Sequence, residues 1–288
     1  MESQYPSPLH PEAKWLAMSG VGMGVLMSTL DSSMLNISLP TLVGEFRTDF
    51  ATIQWVVLSY VLVLTSLILG AARLGDMVSK KKLYQGGLAL FTLGSLLCAL
   101  SPNVYWLIGF RAIQALGGVF TTALGIAIIT EVFPSKERGR ALGIQGSIVS
   151  VGIALGPPLG GLIIGTFGWH WVFLVNLPIG IAAVWIVHRF VPALQPARPN
   201  QRFDVLGAVL LFITLGLYAL GMTYGQQNGF ETSAVKIMLI SATLGLIIFV
   251  VVACSNSYRP DRAVKNQPRR SNKITVSEPG AIGCIYPT

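Results

Sequence analysis

Eight stretches of this 288-residue sequence are each apolar for long enough to cross a lipid bilayer, and that pattern leaves few folds open. A hydrocarbon core ~30 Å thick takes about 20 mostly apolar residues of helix at ~1.5 Å per residue. The stretches run from about Leu16 to Leu39, Ile53 to Leu74, Leu83 to Leu100, Val104 to Thr130, Ala141 to Thr166, Trp171 to Phe190, Val205 to Tyr224 and Val235 to Cys254. Short links rich in Pro, Gly, Asn or charge separate them, such as Ser101-Pro102-Asn103 and Pro134-Ser135-Lys136-Glu137-Arg138. The expected fold class is an all-α membrane protein of about eight spans.

Charge agrees with this. Charged residues make up 11% of the chain and apolar residues 52%, where a soluble domain carries roughly 25% charged. Mean hydropathy is +0.65. That balance excludes a disordered chain, a nucleic-acid binder and an ordinary cytosolic enzyme. The net charge of +8 forms no single patch. Of the 20 basic residues, 17 fall before the first span, at or after the end of an even-numbered span, or beyond the eighth. The opposite loops hold only Arg47 and Lys236, and Arg111 lies inside a span. Because basic residues are retained on the cytoplasmic side, the chain is expected to be multi-pass in the cytoplasmic membrane, with both termini inside.

Residues 1–15 read as a cytoplasmic leader. They carry Glu2, Pro6, Pro8, Pro11 and Glu12 without a basic n-region or an A-x-A site, so the first span is a retained helix and not a cleaved signal. Residues 255–288 are polar, basic and proline-containing, and read as a disordered cytoplasmic tail whose charge suits proximity to anionic lipid. Cys98, Cys254 and Cys284 show neither a CxxC spacing nor a disulfide framework. His10, His170 and His188 are scattered, and no G-x-S-x-G, P-loop or H-E-x-x-H occurs. No enzyme activity, cofactor or metal is expected.

Two charges lie where lipid would not tolerate them. Asp31 sits in the apolar body of the first span and Arg111 in that of the fourth. Each costs about 2.5–3.5 kcal/mol at a helix centre, so each needs a polar setting or a partner. The first span runs outward to Pro40 and the fourth inward from Val104, which sets Asp31 ~14 Å and Arg111 ~10 Å below the same boundary. Ser28, Asp31, Ser32 and Asn36 form one stripe, and Arg111, Gln114, Gly118 and Thr122 another. Polar stripes at matching depth predict a shared water-filled cavity in which Asp31 takes up and releases a proton. The same charges also fit an ion pair that only holds two helices in register. Met23, Met27, Gln54, Trp55 and Gln145 suit a cavity lining for bulky lipophilic cations, and suit lipid contact or helix packing equally.

The fifth span carries Gly152, Gly156 and Gly160 at intervals of four, with Pro157, Pro158 and Gly161 beside them. Glycines on one face let backbones approach closely, and the prolines disrupt the helical ladder.

Several segments then read in series. Leu30-Asp31-Ser32-Ser33-Met34-Leu35-Asn36-Ile37-Ser38-Leu39-Pro40 is similar to L-D-x-x-x-x-N-x-x-L-P, and Arg73-Leu74-Gly75-Asp76-Met77-Val78-Ser79-Lys80-Lys81 to a G-x-L-a-D-r-x-G-r-k loop. The loop departs from that pattern at Ala72, Met77 and Ser79, and Ala115 stands for a usual Gly in the fourth span. Gly152 to Leu162 matches G-x-x-x-G-P-x-x-G-G. Trp169 to Gly180 and Arg202 to Gly207 resemble the entries of a sixth and a seventh helix. Together these resemble the major facilitator superfamily, specifically its fourteen-helix drug:proton antiporters.

The resemblance implies an N-terminal six-helix half over 16–190 and a linker with two additional spans over 191–254. It implies small-molecule substrates and protons as partners, with multidrug efflux as the function. Asp31 and Arg111 become the proton-coupling pair, with Ser28, Ser32, Asn36, Gln114 and Thr122 as cavity polar residues. Gly152, Gly156, Pro157, Gly160 and Gly161 become the antiporter motif, and Arg73, Gly75, Asp76, Lys80 and Lys81 a cytoplasmic gate loop. Such transporters pair two six-helix halves around a midplane site, and no family pattern follows Ser255. The chain is therefore expected to be incomplete and inactive alone, in need of a C-terminal half. The alternatives are a non-transporting membrane partner or regulator of a complete transporter, or a solute:proton symporter, against which the fifth-span motif argues.

Overall fold

The computed structural model describes residues 11–192 and 205–257. Most of the expected leader and tail, and the linker residues Arg198 and Arg202, lie outside the described residues. Among the described residues the structure is all helix: α1 (Pro11–Phe46), α2 (Phe50–Met77), α3 (Lys80–Ala99), α4 (Val104–Val132), α5 (Ser135–Phe167), α6 (His170–Leu174), α7 (Asn176–Phe190), α8 (Val205–Asn228) and α9 (Ser233–Ser257).

Helix boundaries differ from expectation where proline was read too strictly. α1 starts at Pro11, inside the expected leader, because a proline in the first turn forgoes an amide the helix does not use. It continues through Pro40 to Phe46, then ends with Arg47 in the left-handed region at φ 49°. α5 runs unbroken through Pro157 and Pro158. The sixth span instead breaks at Val175, so that Pro178 falls in the first turn of α7. Gly168, at φ 87°, makes the turn from α5 into α6, a conformation that favours glycine. Asp49 and Asn103 cap α2 and α4 by accepting the amides of Thr52 and Trp106.

Among the described residues five rods are long and apolar enough to cross a membrane by themselves: α2, α4, α5, α6 with α7, and Ser233–Val251 of α9. α8 is apolar over Val209–Gly225. α1 and α3 fall outside that set, since α1 carries Ser28, Thr29, Asp31, Ser32, Ser33, Asn36 and Ser38 in its body and α3 opens on Lys80, Lys81 and Lys82.

α4 is the central post, packed by α3, α2 and α1. α5 lies along α1, α7 along α1 and α3, and α8 pairs with α9 and leans on α2. The apolar interior is two-tiered. One cluster gathers Val21, Met27, Tyr84, Leu88, Phe91, Val119 and Leu124. The other, toward the α1–α2 turn, gathers Leu35, Ile53, Val56, Leu107 and Phe173. Between the tiers, within one turn of both along α1, α3 and α4, sit the buried polar side chains of Asp31, Ser95, Arg111 and Gln114.

Candidate functional site

Asp31 and Arg111 are completely buried and meet directly: Arg111 Nη1 donates to Asp31 Oδ2 at 2.6 Å. Helix pitch explains the meeting. Asp31 falls between Met27 and Leu35 on the buried face of α1, and Arg111 between Leu107 and Ala115 on that of α4. The α3–α4 seam at this level is tight. A β-carbon at Gly94 would stand 2.6 Å from Gln114 Cα, so only glycine admits this approach.

Gln114 completes a ring. Its Oε1 accepts from Arg111 Nη1 at 2.6 Å, and its Nε2 donates to Asp31 Oδ1 at 3.0 Å and to Ser95 Oγ at 2.7 Å. Asn176 Nδ2 donates to Asp31 Oδ1 at 2.8 Å and to Ser95 Oγ at 3.3 Å. Arg111 Nε reaches the Val56 carbonyl at 3.4 Å, and its guanidinium lies 4.6 Å from the Tyr60 ring and 5.7 Å from the Phe173 ring. α1, α2, α3, α4, α6 and α7 thus converge on one charge pair. In so dry a layer an ion pair persists only when further hydrogen bonds satisfy it, and Asp31 receives three.

The polar stripes divide here. Arg111, Gln114 and Asp31 enter the sealed network, and Gly118 packs under the Tyr60 hydroxyl. Ser28 turns back to the Val25 carbonyl, and Ser32 is half-buried. Asn36 and Thr122 are exposed, while the neighbouring Thr121 is the buried one. Among the described residues no shared cavity opens onto Asp31, which is fully buried between the two apolar tiers. Asn36 and Gln54 instead line a cleft of about 590 Å³ between α1, α2 and α8, with Thr65, Tyr218, Met222 and Thr223. Met27 is core, Met23 and Trp55 are half-buried, and Gln145 is buried with its Oε1 unpartnered among the described residues.

Gly152, Gly156 and Gly160 face α1. A β-carbon at Gly152 would overlap Thr29, one at Gly156 would overlap Ser33, and one at Gly160 would stand 3.2 Å from Met34 Cα. Gly161 faces open space.

The expected gate loop is almost all helix. Arg73, Gly75 and Asp76 lie on the last turns of α2, and only Val78 and Ser79 link it to α3. Gly75 packs against Leu124, and Arg73 is exposed. Lys80 is buried and ion-pairs with Asp76 at 3.3 Å and with Glu131 of α4. Burial alone would lower the Lys80 pKa, but the hydrogen bond and charge of Glu131, with those of Asp76, hold it above the usual lysine value. Lys81 donates to the His188 carbonyl at 2.8 Å, and Lys14 pairs with Glu137 at 2.5 Å. These contacts tie α2, α3, α4 and α7, and separately α1 and α5, at one end of the bundle.

Sequence reasoning does not single out Ser95, Asn176, Tyr60, Glu131 and Ser33, which the structure brings into these contacts. Ser95 and Glu131 gave no motif signal. Ser33 and Asn176 lie within the Leu30–Pro40 and Trp169–Gly180 segments, whose pattern gives neither of them a partner.

Comparison with known proteins gives the wider context. A family model described as Major Facilitator Superfamily matches residues 21–269. The riboflavin transporter RibZ of Clostridioides difficile is 35% identical over 274 residues, covering 95% of this chain and 58% of that protein. The multidrug resistance protein Stp of Mycobacterium tuberculosis is 34% identical over 236 residues, covering 82% of this chain and 44% of that protein. The chain thus spans about half the length of the curated relatives it matches. In fold it is similar to the human organic anion transporter MFSD10, with a TM-score of 0.57 at 14% identity over 79% of this chain and 59% of that one.

Proposed function

Because the chain belongs to the major facilitator superfamily, a family of multi-pass membrane transporters of small molecules, we propose that it serves proton-coupled export of small lipophilic compounds from the cytoplasm. The observation that carries this reading is the fully buried Asp31–Arg111 pair, set in a polar layer shared by six helices. An intramembrane carboxylate is costly and marks proton pathways. Protonating Asp31 removes the charge that holds Arg111, which loosens α1 from α4. Loss of the proton restores the pair.

In this reading α5 rides on α1 through Gly152, Gly156 and Gly160, so a shift of α1 moves α5 with it. The Lys80, Asp76 and Glu131 cluster fastens the cytoplasmic end while the pair is closed. Asn36 and Thr122 face the substrate path, and both termini are cytoplasmic. The substrate binds between this bundle and a second six-helix half, because alternating access needs two bundles to rock against each other. The 288-residue chain alone is not expected to transport.

A second reading has one observation in its favour. The relative named as a riboflavin transporter covers nearly the whole chain, which supports a proton-coupled carrier of a planar vitamin. Everted vesicles containing the chain, with and without a C-terminal six-helix half on a second polypeptide, separate the readings. With both halves, ethidium is expected to collapse an imposed pH gradient, and the Asp31→Asn variant is expected not to respond. Collapse by riboflavin and not ethidium would favour the vitamin carrier. Collapse by the chain alone would contradict the need for a second half.

A further inference from the structure

Every side-chain hydrogen bond that Asp31 makes is one in which it accepts. Arg111 Nη1 donates to Oδ2, and Gln114 Nε2 and Asn176 Nδ2 donate to Oδ1. This set suits an ionised carboxylate, which has no proton to give. A protonated Asp31 is different: it carries an O–H that must find an acceptor inside a layer closed on both sides. Protonation on Oδ2 would set that O–H against the Arg111 guanidinium, so the proton belongs on Oδ1. There it meets two amide N–H groups.

One of those amides must turn to present its oxygen. Gln114 is held, because its Oε1 accepts from Arg111 at 2.6 Å and from the Cys98 thiol at 3.7 Å, so turning it breaks a charge-assisted bond. Asn176 is not held in this way. Its Oδ1 is buried and has no hydrogen-bond partner among the described residues, while its Nδ2 makes both of its bonds. A half-turn of the amide exchanges the two atoms at no cost in oxygen-side bonds. The oxygen then faces Asp31 Oδ1 and Ser95 Oγ, and accepts from both hydroxyls.

We infer that Asn176 is a positioning residue whose amide reverses with the protonation of Asp31, donating to the carboxylate and accepting from the acid. The inference rests on the proposed proton exchange at Asp31. Asn176 is the first residue of α7, immediately after the break at Val175. The reversal therefore acts where α7 is gripped by α1 and α3. The titratable and charged groups around Asp31 are Arg111 from α4, Tyr60 from α2 and Cys98 from α3. α6 and α7 supply Phe173 and Asn176, which do not titrate.

Infrared difference spectra of the purified 288-residue chain in lipid nanodiscs, recorded across pH steps, test this. The carboxylic C=O band of Asp31 is identified by its absence in Asp31→Asn. With Asn176→Ala the band is expected to move to higher frequency, as for an acid O–H without an acceptor. With Asn176→Ser, which retains an acceptor oxygen and gives a reading even if the alanine variant does not fold, the band is expected to stay near its wild-type position. An unmoved band in Asn176→Ala, or a serine variant shifted as far as alanine, overturns the inference and leaves proton exchange standing. Absence of any Asp31 band in the wild-type chain overturns proton exchange, and this inference with it.

Discussion

The Ser33 hydroxyl on α1 donates to the Ile153 carbonyl on α5 at 3.0 Å, and Ile153 is the residue four before Pro157. A helix would normally bring the amide of residue 157 to that carbonyl, and proline has none. The proline that leaves an acceptor empty on α5 therefore creates the polar contact that fastens α5 to α1. In a bilayer no water is at hand to fill that role.

A double-mutant cycle follows from this relationship. Ser33→Ala leaves the Ile153 carbonyl unpaired and should cost about 1–3 kcal/mol. Pro157→Ala supplies an amide, so Ser33→Ala in that background should cost little. A coupling of about 1 kcal/mol or more in thermal unfolding in nanodiscs is expected. Additive effects would contradict the account.

Neighbouring glycines should behave unequally. Gly156→Ala drives a β-carbon into Ser33 and should lower the unfolding temperature and weaken the α1–α5 contact. Gly161→Ala meets nothing within 4 Å and should be neutral or stabilising by up to about 1 kcal/mol, the usual helix gain over glycine. Parallel melting curves of the two variants check this.

Removing one member of the buried pair should cost far more than removing both. Arg111→Met leaves the Asp31 charge unpaired and should destabilise by about 3–5 kcal/mol. The double variant Asp31→Leu with Arg111→Met should recover much of that loss, because the uncompensated charge is gone. Unfolding midpoints of the two proteins give the comparison directly.

Lys80 provides a pH test outside the apolar body of α3. Its pKa is raised in the folded state above the ordinary lysine value of 10.5. Its contribution is thus complete below about pH 10.5 and lost as pH rises through the folded value. The difference in melting temperature between wild type and Lys80→Met should stay level from neutral pH to about pH 10 and shrink only beyond it.

Much of this structure is readable from residue order. Apolar length places the rods, and the depths and faces of Asp31 and Arg111 place both charges at one level, because helix rise and pitch are fixed numbers. What could not be read is which neighbours close around them. Ser95 and Asn176 are ordinary residues on helices far apart in sequence, and only the packing of α3 and α7 brings them to Asp31. The closure of the layer around Asp31 is not legible for the same reason: a polar stripe gives a direction along one helix, not what lies opposite. Proline signals failed in a graded way. Pro40 and Pro157 sit inside unbroken helices, and at Pro157 the Ser33 hydroxyl serves the freed Ile153 carbonyl, whereas the chain breaks three residues before Pro178.

The central claim, that Asp31 exchanges a proton while packed against Arg111, is tested most directly by counting protons. Unbuffered acid titration of the purified chain in nanodiscs should show wild type taking up about one proton more than Asp31→Asn over the range in which both stay folded, with the helical content of both unchanged. Superimposable titration curves would contradict the claim and leave Asp31–Arg111 as a permanent structural pair.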